Sequence, residues 1–291
     1  MATRGLSLVG FYDREHDALA HLRNTCFLPD ASDASLLEEW AAARSKLGPP
    51  IPRAGAPEIR ELEPEDQAYI RELRAQPWVQ SLLQRPACRS AAFKLVEIEP
   101  LLAHQPFVDL ERSRDGGKQL GSAPIAELMR ICLPQTRPKP LEPPAVILKQ
   151  QHSMTIKVRK WHLEALMPTL TSAGSNGYEH TTAGVDLHWS LPFVHVVRLG
   201  GRYYLRNGYH RTFSAARRGA THIPCFVSNG DDTEIRSEGI NWLLMPRHVL
   251  DSSNPPTLGH FLNGRAHEIM LRATSLTVHV TWSLCLMPDE Y

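Results

Sequence analysis

Phe193-Val-His-Val-Val-Arg-Leu199, Gly200-Gly201, Arg202-Tyr-Tyr-Leu-Arg206, Asn207-Gly208, Tyr209-His-Arg-Thr-Phe-Ser-Ala-Ala-Arg-Arg218, Gly219 and Ile223-Pro-Cys-Phe-Val227 decide how this chain is read. The first run is a strand. Gly200-Gly201 is a two-residue hairpin turn, because glycine accepts the positive φ that such turns require. The return strand ends at Asn207-Gly208, where a helix starts. That helix stops at Gly219, which suits a left-handed residue just past a helix end. A third strand begins near Ile223, so the order is strand, hairpin, strand, helix, strand.

No acidic residue lies between Asp186 and Asp231, yet Arg198, Arg202, Arg206, Arg211, Arg217 and Arg218 all do. The whole chain has 32 Lys+Arg against 31 Asp+Glu, a formal charge of +1. Such a local excess marks either an anion-binding surface or a basic face paired with carboxylates from elsewhere. The turn favours the anion. A helix N-terminus offers unpaired N–H groups and the positive end of a dipole, and Gly208 lets the backbone approach a ligand closely. His210 and Arg211 add donors in the first turn, the arginine as a planar fork that matches phosphate. The candidate phosphate-holding set is Asn207, Gly208, Tyr209, His210, Arg211 and Thr212. Helical spacing puts Arg211, Ala215 and Arg218 on the ligand face, with Tyr209, Phe213 and Ala216 on the packing face.

Outward from this stretch, Phe93-Lys-Leu-Val-Glu-Ile-Glu-Pro100 alternates as a strand that stops at proline. Leu101 to Pro106 reads as a turn. Ala145 to Leu148 and Met154 to Val158 are strands, Trp161 to Leu166 a short helix, and Ser172 to Gly177 a loop. Residues 1–90 read as a mainly helical accessory layer. One helix there runs through Leu36, Leu37 and Trp40, and a second starts near Glu63-Pro64 and is kinked or divided at Pro77. Trp242 to Pro246 closes a helix, and Ser275 to Leu286 is a terminal strand.

Apolar residues make up 42% of the 291 and charged residues 22%. That balance excludes a chain that is mainly disordered. No apolar run approaches the ~20 residues that cross a bilayer, so a cytoplasmic protein without a membrane partner is expected. The five cysteines, Cys26, Cys88, Cys132, Cys225 and Cys285, are far apart and form no Cys-x-x-Cys pair. A disulfide framework and a cysteine zinc site are therefore not expected. The fourteen histidines show no zinc-ligand spacing, and no metal ligand is assigned.

The stretch from Gly201 to Cys225 resembles the phosphate-binding motif of the ParB/sulfiredoxin superfamily. In that motif a hairpin strand, a Gly-x-[His/Arg]-Arg turn, a helix ending at Gly and a strand opening near Ile/Val-Pro follow one another. Leu95-Val-Glu-Ile-Glu-Pro-Leu-Leu-Ala-His-Gln-Pro106 looks like the family's other box. The resemblance implies an α/β (α+β) fold with a small mixed sheet, carried by residues 91–230 with an insertion near 112–185. A C-terminal extension over 231–291 would follow. It also implies a nucleotide ligand, CTP, ATP or ADP with Mg2+, at the helix N-terminus. Glu99 and Glu97 would then be the catalytic carboxylates beside the phosphates, with Asp109 on the next segment. Gln105 would contact the ligand or cap its own turn.

The departures from the family separate the possible functions. Sulfiredoxins have a reactive Cys where Tyr209 stands. The free-serine kinases carry an Asp where Asn207 stands, and His210 replaces the first Arg of the partition proteins' turn. No helix-turn-helix follows Val227. The expected activity is nucleotide-phosphate binding, with NTPase or phosphotransferase chemistry. The alternatives are a non-catalytic nucleotide sensor, a nucleic-acid-binding module, or an interface for an acidic partner protein.

Overall fold

A computed structural model describes residues 2–27, 31–85, 88–117, 125–136, 146–150, 153–158, 163–175, 178–189, 192–230, 244–272 and 276–281. The elements, in chain order, open with β1 (Ala2–Ser7), α1 (Glu15–Thr25), α2 (Asp33–Arg44), β2 (Ile59–Arg60), α3 (Pro64–Ala75) and α4 (Pro77–Leu83). Next come β3 (Ala92–Glu97), β4 (Leu102–Ala103), β5 (Phe107–Asp109), α5 (Leu110–Gly117) and α6 (Ile125–Cys132). After them run β6 (Val146–Gln150), β7 (Ser153–Val158), β8 (Leu163–Ser175) and β9 (Tyr178–Trp189). The chain continues through β10 (His195–Leu199), β11 (Arg202–Asn207), α7 (Tyr209–Ala216) and β12 (His222–Asn229). It closes with α8 (Arg247–Leu250), α9 (Leu258–Leu262), β13 (His267–Arg272) and β14 (Leu276–Thr281). The protein is mixed α/β.

Two compact units divide these elements. One is Met1–Arg137 with Leu191–Ala273, the other Pro138–Ser190 with Thr274–Tyr291. The second unit contains the antiparallel sheet β14-β7-β6 and the long two-stranded ribbon β8-β9. The ribbon and its partners take in Leu163 to Leu166, where local composition suggested helix, and Ser172 to Ser175, where it suggested a loop. Residues 112–117 and 125–136, assigned to an insertion from sequence, belong to the first unit and include most of α5 and all of α6. The Trp242 to Pro246 helix end lies largely outside the described residues.

The first unit is built on a six-stranded sheet of order β2-β3-β12-β10-β11-β4, with a second sheet of order β13-β1-β5. β10 and β11 form the expected hairpin, turned by Gly200 at φ 56° and Gly201 at φ 80°. β12 returns parallel to β10, and β3 lies antiparallel on its other side. The N-terminal region agrees with its helical reading from α1 to α4 but starts with a strand. Ser32 caps α2 by accepting from Ser35 N, and Pro77 separates α3 from α4 by opening the latter at its first position.

Phe93, Phe193 and Phe226 form the middle of the core, with ring centroids 5.4 to 5.7 Å apart. Trp78 from α4 packs on Phe193 at 5.1 Å, which ties the helical layer to the sheet. Burying aromatic area on this scale supplies much of the hydrophobic stabilisation of such a unit.

Candidate functional site

Gly208 caps α7 in the left-handed conformation, at φ 95° and ψ 18°. A Cβ at this position would sit 2.8 Å from Val194 Cγ2 and 3.0 Å from Val194 Cα, so the turn and its close packing both require glycine. Asn207 fixes the turn from both sides. Its Oδ1 accepts from Gly208 N at 2.8 Å, and its Nδ2 donates to Phe193 O at 3.2 Å. These short-range bonds explain why Asn-Gly stands at this point: the side-chain amide braces a backbone that no other residue would adopt cheaply.

The rest of the expected cradle divides into structural groups and half-buried ones. Tyr209 is buried, with its hydroxyl donating to Leu205 O at 2.5 Å and accepting from Gln105 N at 2.7 Å. Burial pushes its phenol well above the ordinary range. Gln105 turns its side-chain amide to Phe107 O at 2.8 Å, so it braces its own turn. Thr212 is fully buried, and among the described residues its Oγ1 has no hydrogen-bond partner. Gly208, His210 and Arg211 remain half-buried.

Arg211 spends its charge on the fold. Its Nη1 donates to Pro192 O at 2.7 Å and to Ile131 O at 3.0 Å, joining the end of α6 to the segment that enters β10. Burial pulls this guanidinium below the ordinary arginine range, and the charge of Arg112 pulls the same way. Nor does α7 have the open ligand face that its spacing suggested. Tyr209, Thr212, Phe213, Ser214 and Ala215 are all buried, which leaves only His210 and Arg211 half-buried in the first turn. Arg217 and Arg218, at its far end, are exposed.

His210 leads to a partner that sequence reasoning placed only loosely. Asp109 N donates to His210 Nε2 at 3.3 Å, and Ser214 Oγ donates to Ser113 O at 2.6 Å. Advancing four residues on one helix advances four on the other, so α5 and α7 run side by side in the same direction. Their N-termini therefore open together. Asp109 caps α5 by accepting from Arg112 N at 3.0 Å, and its other oxygen accepts from Thr3 Oγ1 at 3.0 Å. Burial lowers the Arg112 guanidinium, with Asp109 opposing. Arg112 and Arg211 occupy the third position of their respective helices. The sequence signal for α5 is Asp109, a residue type that caps helices, three positions before the Arg112 N–H it accepts from.

Glu97 and Glu99 lie elsewhere. Glu97 Oε2 accepts from Glu58 N at 2.8 Å and pairs with Arg53 at 3.3 Å. Glu99 Oε1 accepts from Asn263 Nδ2 at 2.6 Å, beside Gly259 at the start of α9. Among the described residues, no hydrogen bond or ion pair joins either carboxylate to residues 207–212. No group of three or more His, Cys, Asp or Glu is placed to hold a metal among the described residues. The donor set here fits a phosphate, through amides and basic side chains, better than it fits Mg2+, which needs carboxylate or phosphate oxygens.

Comparison of the chain with protein-family models, with curated proteins and with solved structures gave no match. Among the described residues, no helix is long and apolar enough to cross a membrane.

Proposed function

We propose that this protein binds the phosphates of a nucleotide where the N-termini of α5 and α7 open side by side. The supporting observation is the parallel pairing of the two helices through Asp109–His210 and Ser113–Ser214. Each helix start carries roughly half a positive charge. Placing two of them together beside Arg112 and Arg211 is unfavourable without negative charge to offset them. Asp109 and the exposed Glu111 in the first turn of α5 supply two carboxylates against two guanidiniums and two dipole ends, so the positive excess is only that of the two dipole ends. A phosphate is the ligand that backbone amides at such a start hold best.

The resemblance to the ParB/sulfiredoxin motif supports CTP, ATP or ADP as the nucleotide, with Mg2+ arriving on the phosphates. Binding without turnover is the reading that the contacts of Glu97 and Glu99 favour, since both are committed to other segments. Thermal denaturation with each nucleotide and Mg2+ tests this. Ligand at a hundred times its Kd should stabilise the protein by about 2.7 kcal/mol, with no hydrolysis product. The absence of any shift with all three at millimolar concentration would refute binding, and steady nucleotide hydrolysis would refute the non-catalytic reading.

A further inference from the structure

β10 and β11 pair His195 with Asn207 but Val196 with Leu205, so Arg206 is an extra residue that bulges from β11. Bulges of this kind re-aim a side chain and are common beside functional sites. Arg206 is half-buried, and among the described residues no carboxylate pairs with it. Its neighbours are imidazoles. Nη1 donates to Nδ1 of the buried His104 over a long 3.4 Å, which requires that nitrogen to be unprotonated. Its charge reaches His195, a half-buried histidine hydrogen-bonded to Ser228 Oγ at 2.8 Å. It also reaches the Tyr209 hydroxyl in the first turn of α7. A half-buried guanidinium whose hydrogen bond goes to an imidazole nitrogen keeps its charge available to an anion. Arg211 differs, because two carbonyl oxygens already satisfy it.

We propose that Arg206 supplies the guanidinium that meets the bound phosphate, and that Arg211 serves the fold alone. This rests on the phosphate-binding reading above and adds to it a residue that the nucleotide motif does not assign. The test is isothermal titration of wild type, Arg206→Gln, Arg206→Lys and Arg211→Lys with ATP, CTP and inorganic pyrophosphate, alongside their melting temperatures. Arg206→Gln should weaken binding about 10- to 100-fold, the range for one charge-assisted bond, with an unchanged or higher melting temperature. Arg206→Lys should recover part of the affinity. Arg211→Lys should melt earlier and bind within about threefold of wild type, too little to cost a charge-assisted bond. If wild type binds and Arg206→Gln binds equally well, or if Arg206→Gln melts early, the role assigned to Arg206 is wrong while phosphate binding stands. If wild type binds none of the three, both fall.

Discussion

Replacing Gly208 with alanine probes the turn on which the site depends. Two costs add. Holding a residue with a Cβ in the left-handed region costs about 1–2 kcal/mol. The new methyl would also lie 2.8 Å from Val194 Cγ2 and 3.0 Å from Val194 Cα. Val194 cannot retreat easily, because its N–H donates to Cys132 O at 2.8 Å and its carbonyl accepts from Phe226 N at 2.9 Å. Overpacking of this kind costs about 1–3 kcal/mol. Gly200→Ala is the matched control: its φ is also positive, 56°, but nothing lies within 4 Å of the added methyl. Urea denaturation should show a loss of about 2–5 kcal/mol for Gly208→Ala and only the conformational part for Gly200→Ala. Val194→Ala in the Gly208→Ala background should recover part of the difference, since Cγ2 leaves but Cα stays. Equal losses for the two single variants would refute the close packing of α7's first residue against Val194.

Arg211→Gln should cost about 2–4 kcal/mol in the same assay, because it removes charge-assisted bonds to two partly buried carbonyls; a loss under about 0.5 kcal/mol, the size of an ordinary surface change, would contradict the clamp. Acid should weaken the protein through His195 and His260. Burial, helped by Arg206, lowers His195 from 6.5 to about 3, and burial lowers His260 from 6.5 to about 4. In both cases the unfolded chain takes up a proton first. Their contribution is therefore complete above pH 6.5 and shrinks as pH falls toward these values, by about 1.4 kcal/mol per pH unit for each histidine. Denaturation at pH 7, 6 and 5 should show this slope, and His195→Gln should reduce it by about half; a flat profile would contradict their neutral state.

Legibility in the sequence varied with the range of the forces involved. The hairpin, the Gly208 turn, β12 and the break at Pro77 were readable because glycine, asparagine and proline act through their own backbone. β1 was not: Ala2-Thr-Arg-Gly-Leu-Ser7 has no alternation, and its strand comes from pairing with β13 and β5, far away in the chain. Leu163 to Leu166 has helix-forming residues, yet pairing with β9 overrides that preference. The candidate site divides the same way. That Gly208 opens a helix was evident locally. That Arg211 would find Ile131 O, that Glu99 would find Asn263, and that α5 would lie parallel to α7 depend on tertiary contacts which residue spacing does not encode.

Titration calorimetry of ATP, CTP and ADP with Mg2+ into wild type and His210→Glu gives the most direct check on the paired helix starts. Glutamate suits the beginning of a helix, and its carboxylate can still accept from Asp109 N, so the fold should persist while the anion meets a like charge. Saturable binding to wild type, reduced at least about 100-fold in His210→Glu, is the expected result, since a like charge at this spot costs several kcal/mol. Undiminished affinity in His210→Glu would place the nucleotide somewhere other than the mouth shared by α5 and α7.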